Sequence, residues 1–369
     1  MVRVSFTFFT LLLLSGCAIQ PAVEQGGFQL VHFKKSTPNV PCFDRDNEPQ
    51  QSSVDLHVHP KFYYGKSISY PELMAYFKRA GIKFALLYGI GQTVTFDTAC
   101  IENNSCHRII VKPSLLNDVR NSEDYKAFPQ DDIHIGLSMS FPNLSEPEKV
   151  AQQISYLDEH YPGLFQWMGE VNLLKTNALA SGHKPATLSS IAQWQGFMEV
   201  LQKRNIPMAI HSDLGDIASP EKHAYLMRAV LKRYPNNKIV WMHMGVSPEA
   251  LPINVEKHIE LMTRLLAEHD NLFLDVSWAT LTDSLFASIE QRTKYITFFN
   301  QHPKRILVGS DFLAQEGKSF NSYKRTLSSV NQLLSELNDK AFRHIALGQN
   351  YFDLTPKMNE IFSAPKICQ

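Results

Sequence analysis

Eight short apolar runs recur from residue 53 onward, most of them followed by a longer amphipathic segment, and this alternation limits the fold more than any other feature of the chain. The runs lie near 54–59, 83–88, 133–139, 164–171, 206–211, 238–243, 271–277 and 305–310, and they predict strands. Helical stretches such as 70–80, 145–160, 188–204, 219–234, 254–269 and 282–299 lie between them, and several open on Ser, Pro or Asn. Strands that alternate with helices in this way form a parallel sheet wrapped by those helices. Eight such units over about 250 residues is the size of a (β/α)8 TIM barrel, the α/β fold class expected here. A doubly wound open sheet is the alternative, but the chain has neither a GxGxxG turn nor a P-loop. Between the second and third strands, residues 90–132 are too long for a plain connection and predict a lid or pocket wall on one barrel face.

With 369 residues, 44% of them hydrophobic and 20% charged, the chain can bury one large core or two modest ones. Lys plus Arg and Asp plus Glu both number 36, so no global field selects nucleic acid, an anionic membrane surface or an acidic substrate. Specificity must therefore be local.

At the N-terminus, Arg3 precedes an apolar run from Val4 to Leu14 that is short for a bilayer span and reads as a bacterial export signal. The run ends Leu14-Ser15-Gly16-Cys17, which resembles the lipobox of bacterial lipoproteins. That resemblance implies a signal peptide over 1–16 and an acylated Cys17, whose lipid would anchor the protein to a membrane. Ala18, where an Asp would retain the protein at the inner membrane, implies the outer membrane of the cell envelope, facing the periplasm. Residues 17–50 contain Gln, Pro, Ser and Asn without sustained periodicity and predict a tether, leaving 51–369 as the folded domain. Cys42, Cys100, Cys106 and Cys368 remain, and an exported location permits disulfides. Three connectivities are open; Cys100 with Cys106 would close a small loop, and Cys42 with Cys368 would staple the two ends of the domain.

Chemistry concentrates at the strand ends. In Asp55-Leu56-His57-Val58-His59-Pro60, two histidines at a spacing of two project from one face of a strand and form a bidentate grip for a metal such as zinc. Glu170, His211, His243 and Asp311 each end a different predicted strand. The C-terminal strand ends form the active-site face of a barrel, so these six side chains can converge there. Taken singly, Glu170 could be a capping carboxylate and His243 a core histidine; the joint pattern argues otherwise. Asp55, Asp213 and Asp275 are read as groups that cap or orient the ligands. Lys61, Tyr63, Lys112 and Lys175 are candidates to hold a substrate carboxylate or phosphate, and Trp278 is a candidate pocket wall.

HxH on strand one, an acid on strand four, His on strands five and six and Asp on strand eight resembles the amidohydrolase superfamily over residues 53–355. Ala346-Leu347-Gly348-Gln349-Asn350-Tyr351-Phe352 also resembles the closing segment of its amidohydrolase-related branch. The resemblance implies that His57, His59 and Asp311 bind one metal, that His211 and His243 bind a second, and that Glu170 bridges them. Many binuclear members carry a carboxylated lysine at that bridging position. Glu170 resembles instead the alternative in the superfamily's metal-dependent deoxyribonucleases, so one or two ions remain open.

The expected cofactor is a divalent ion, foremost zinc, and the expected chemistry is hydrolysis of a small molecule at a carbonyl or phosphoryl centre, with Asp311 moving protons. A mononuclear site of His57, His59, His211 and Asp311 with His243 as acid or base would instead resemble the amidohydrolase-related decarboxylases. A non-catalytic barrel lipoprotein serving as a binding module is the third reading. A nuclease role fits poorly with zero net charge. No GxSxG elbow points to covalent catalysis.

Overall fold

The computed structural model describes residues 27–62, 66–95 and 110–369. Its strands are Val54–His59 (β1), Phe84–Tyr88 (β2), Gln92–Thr95 (β3), Ile110–Pro113 (β4), His134–Met139 (β5), Phe165–Leu174 (β6), Met208–Ser212 (β7), Ile239–Trp241 (β8), Leu272–Val276 (β9), Ile306–Val308 (β10) and Phe312–Leu313 (β11). Nine of them form one curled parallel sheet in the order β10-β9-β8-β7-β6-β5-β2-β1-β11. β3 and β4 form a separate antiparallel pair within the 90–132 insertion, followed by a helix at Leu116–Ala127. All residues of β1, β2, β7, β8 and β10 are buried, as expected for strands covered on both faces.

The strand expected at 305–310 is split. β10 pairs with β9 at one edge of the sheet, and β11, which begins after residue 311, pairs with β1 at the other edge. Asp311 has φ 52°, a left-handed conformation that interrupts the extended backbone. Its N–H donates to the His57 carbonyl at 2.8 Å, tying the break to β1.

Helix boundaries follow local chemistry. The helix Tyr70–Arg79 starts where the Ser69 side chain accepts the Glu72 N–H, with Pro71 in its first turn. Its stripe of Tyr70, Leu73, Met74, Tyr76 and Phe77 is buried, with Tyr76 and Phe77 against Tyr323, and each large apolar side chain contributes about 1.5–3 kcal/mol. Asn254 caps the helix Val255–Glu268 in the same way. The segment expected as one helix at 188–204 is two, Leu188–Ala192 and Gln195–Arg204, because Trp194 turns inward and donates its indole N–H to the Leu144 carbonyl at 3.1 Å. The 282–299 segment likewise forms Ala279–Leu285 and Ile289–Gln301.

The expected tether at 17–50 requires correction over its described part. Residues 30–33 form a 3-10 turn, Phe33 and Phe43 are buried, and Phe33 meets Phe84 edge-on at 5.2 Å. A disulfide joins Cys42 to Cys368, and the Phe43 N–H donates to the Lys366 carbonyl at 2.7 Å. A segment without periodicity is held here by two aromatic anchors and a covalent link. The signal at 1–16, Cys17, Tyr63, Cys100 and Cys106 lie outside the described residues.

Candidate metal centre

The two-residue period of β1 places His57 and His59 on one face, with their Nε2 atoms 3.1 Å apart. Across the sheet, Glu170 lies within β6. Gly169 before it has φ 124°, and a Cβ there would stand 2.3 Å from the Ala209 carbonyl oxygen, so the close approach of β6 to β7 requires glycine. Ser138 and Ser140 both donate hydroxyl hydrogen bonds of 2.6 Å to the Gly169 carbonyl and hold this peptide in place. His211 is on β7. His243 follows β8, which stops at Trp241 because His243 and Met244 adopt left-handed conformations with φ of 56° and 50°. This turn aims the His243 ring into the centre.

The Glu170 carboxylate sorts these histidines into two groups. Its Oε2 lies 3.6 Å from His57 Nε2 and 3.4 Å from His59 Nε2. Its Oε1 lies 2.5 Å from His211 Nδ1 and 3.5 Å from His243 Nε2. Asp311 completes the first group, with Oδ1 3.5 Å from His57 Nε2 and 3.3 Å from His59 Nε2. Two donors at ordinary zinc distances in tetrahedral geometry stand roughly 3.4 Å apart, so most of these separations match a shared cation. All six side chains are buried or nearly so.

Charge supports the same conclusion. Burial opposes ionisation of Glu170, yet Lys175 and His211 hold it well below the usual carboxylate range. Burial also opposes protonation of His57, but Asp311, Asp275 and Glu170 outweigh it and raise the pKa well above 6.5. His211 is raised too, against burial and Lys175, by Glu170 and Asp213. Without a metal, the carboxylates draw protons onto buried imidazoles; a divalent cation would meet the same demand for positive charge.

Groups behind the ligands orient them. Asp213 Oδ1 lies 2.9 Å from His211 Nε2 and its Oδ2 accepts the Thr176 N–H at 2.6 Å, which leaves His211 Nδ1 for the centre. Asp55 accepts the Ser310 N–H and hydroxyl at 2.8 and 2.7 Å and the Tyr323 hydroxyl at 2.8 Å, and so secures the backbone beside Asp311. Burial outweighs these hydrogen bonds and lifts Asp55 to about 6. Sequence reasoning overlooked Ser277, whose hydroxyl lies between His57 and His243. The signal was its position two residues after Asp275, on the same face at strand spacing.

A cavity of about 410 Å³ opens over the centre and is lined by His59, Glu170, His211, His243 and Asp311, with Lys175 and Trp278 in its walls. Lys175 Nζ lies 3.9 Å from Glu170 Oε1, and the Trp278 ring lies 5.0 Å from that of His243. Ile90 and Gly91, at the start of the insertion expected to form a pocket wall, also line it, as do Gly89 and Asn172, which nothing in the sequence marked as pocket residues. Lys61 is placed elsewhere: it pairs with Asp124 of the insertion helix and is not among the lining residues. Lys112 is on β4, and its side chain lies outside the described residues.

An amidohydrolase family model matches residues 178–344, a span that includes His211, His243, Asp275, Ser277 and Asp311 but not β1 or Glu170. Among solved structures, the fold is similar to a D-hydantoinase, with TM-score 0.53 and 12% identity over 86% of this chain and 73% of that one. It is also similar to a zinc-bound amidohydrolase from Burkholderia multivorans, with TM-score 0.51 and 11% identity over 82% of this chain and 98% of that one. No curated protein sequence matches the chain.

Proposed function

We propose that this chain is a metal-dependent hydrolase of the amidohydrolase superfamily on a (β/α)8 barrel. Three residues link β10 to β11 at opposite ends of the sheet, which fits a ring closed through a broken eighth strand. The observation that carries the reading is the division of the Glu170 carboxylate, with one oxygen facing His57 and His59 and the other facing His211 and His243. Imidazole and carboxylate donors suit zinc; His57, His59 and Asp311 would hold one ion and His211 and His243 a second, with the Glu170 carboxylate facing both groups.

A divalent cation bound there supplies Lewis acidity to a carbonyl or phosphoryl oxygen and brings the pKa of a water towards neutrality. Asp311, ionised and open to the cavity, accepts the proton of the attacking water and returns it to the leaving group. Lys175 stabilises negative charge on the substrate, and Trp278 covers one side of it. His243 acts as a ligand in this reading: its Nε2 lies 3.5 Å from Glu170 Oε1, the oxygen that His211 Nδ1 also faces, and its Nδ1 is tied to Ser277.

Metal analysis of the purified protein, then an assay of amide, ester, lactone and phosphoester substrates before and after chelation, tests the proposal. We expect one to two equivalents of zinc and a chelation-sensitive activity on one of these bonds. Turnover unchanged by complete metal removal would overturn it.

The export and lipidation of the chain at Cys17, and its place in the bacterial envelope, belong to the same proposal. The Cys42–Cys368 disulfide supports an oxidising compartment. Among the described residues, no helix is long and apolar enough to cross a membrane.

A further inference from the structure

Ser277, which follows β9 directly, is fully buried, and its hydroxyl has three neighbours. It lies 2.9 Å from His57 Nδ1 and 3.1 Å from His243 Nδ1, and it donates to Asp275 Oδ2. The two rings are stacked, with centroids 5.2 Å apart and planes at 14°. Asp275 itself is 3.6 Å from each Nδ1, beyond hydrogen-bond distance, so it reaches the rings through the serine. The same Asp275 oxygen accepts the His243 backbone N–H at 3.2 Å.

A hydroxyl has one hydrogen and two acceptor lone pairs. Because the Ser277 hydrogen goes to a carboxylate that can only accept, both lone pairs are left for the two Nδ1 atoms, and each Nδ1 must carry the hydrogen. We infer that Ser277 is a positioning residue that sets the tautomer of two metal-binding imidazoles at once, turning Nε2 of His57 to one oxygen of Glu170 and Nε2 of His243 to the other. The inference rests on the proposed role of both histidines as ligands. One hydroxyl thereby couples the two halves of the centre: loss of Ser277 would release a ring from each. His211 is set by a different device, since Asp213 holds its Nε2 and Nδ1 faces inwards. The pattern Asp-x-Ser at the end of the seventh strand therefore does for two rings what a carboxylate does for one.

The test uses the full chain loaded with zinc. In protein labelled with 15N at histidine, long-range proton–nitrogen spectra should show a hydrogen on Nδ1 and metal at Nε2 for both His57 and His243. A hydrogen on Nε2 of either would overturn the inference without any substitution. Ser277→Ala should weaken zinc binding by about 10- to 100-fold in competition with a chromophoric chelator, the usual loss when a group behind a ligand is removed. Its metal-free form should melt cooperatively, which separates a positioning effect from misfolding. If Ser277→Ala binds zinc as tightly as wild type while His57→Asn loses it, the metal reading stands and the role of Ser277 falls. If wild type binds no zinc at all, both fall.

Discussion

Gly309 lies against His57 so closely that a Cβ on it would stand 2.6 Å from the His57 backbone nitrogen. The first metal-type histidine and the break in the last strand thus depend on one missing methyl group. Gly309→Ala should destabilise the protein by about 1–3 kcal/mol through overpacking and should weaken metal binding with it. Thermal melting with and without zinc measures both; an unchanged melting temperature in each state would mean that β10 can move aside at no cost.

Asp311 and His211 should separate proton transfer from metal retention. Asp311→Asn keeps an oxygen donor and the shape but loses the base, so we expect partial metal retention with a loss of at least about a hundredfold in turnover. His211→Asn should lose metal and activity together, since a nitrogen ligand is replaced by a poorer one. Metal content measured beside turnover for both variants decides the matter, and near wild-type turnover in metal-loaded Asp311→Asn would remove Asp311 from the proton path.

Metal binding should strengthen as pH rises. His57 in the metal-free protein is raised well above 6.5, so below that raised value an entering ion must displace a proton, at a cost of up to about tenfold in affinity per pH unit for each proton released. The same shift gives a stability signature. A histidine raised in the folded state contributes stability that is full below its unfolded pKa and disappears as pH rises through the folded one. Metal-free protein should therefore lose stability as pH rises above neutrality, and zinc should restore it; zinc dissociation constants and denaturant midpoints from pH 6 to 9 check both statements.

The disulfide joins residues 326 apart in sequence, so it constrains nearly the whole unfolded chain. Cys42→Ser should lower stability by about 2–5 kcal/mol. The readout is the denaturation midpoint of the oxidised wild type against the variant, with thiol titration confirming that Cys42 and Cys368 are protected before reduction.

Wild type expressed with its leader should partition with membranes, whereas Cys17→Ser should become soluble or stay unprocessed, because acylation needs the thiol. Equal soluble fractions for the two would remove the proposed anchor.

The sequence by itself determined the alternation of strands and helices in the main sheet, because hydrophobic period is a local property of β1, β2 and β5 to β10, whereas the β3–β4 pair within 90–132 was not expected. It also determined that His57 and His59 share a face, since that follows from strand period alone. What only tertiary structure decided is of three kinds. The turns at His243 and Asp311 are left-handed and cut β8 and the last strand short, and non-glycine residues take up that conformation only where surrounding contacts impose it. The packing of residues 27–50 depends on Phe33 meeting Phe352, Phe43 meeting Phe342 and Cys42 meeting Cys368, partners hundreds of residues away that no local pattern encodes. Above all, the sorting of four imidazoles by the two oxygens of Glu170, and the placing of Ser277 between His57 and His243, depend on distances across the sheet. Sequence sets which residues lie at strand ends; the curl of the sheet sets which atoms come within about 3.5 Å of one another, and chemistry at a metal centre is decided at that scale.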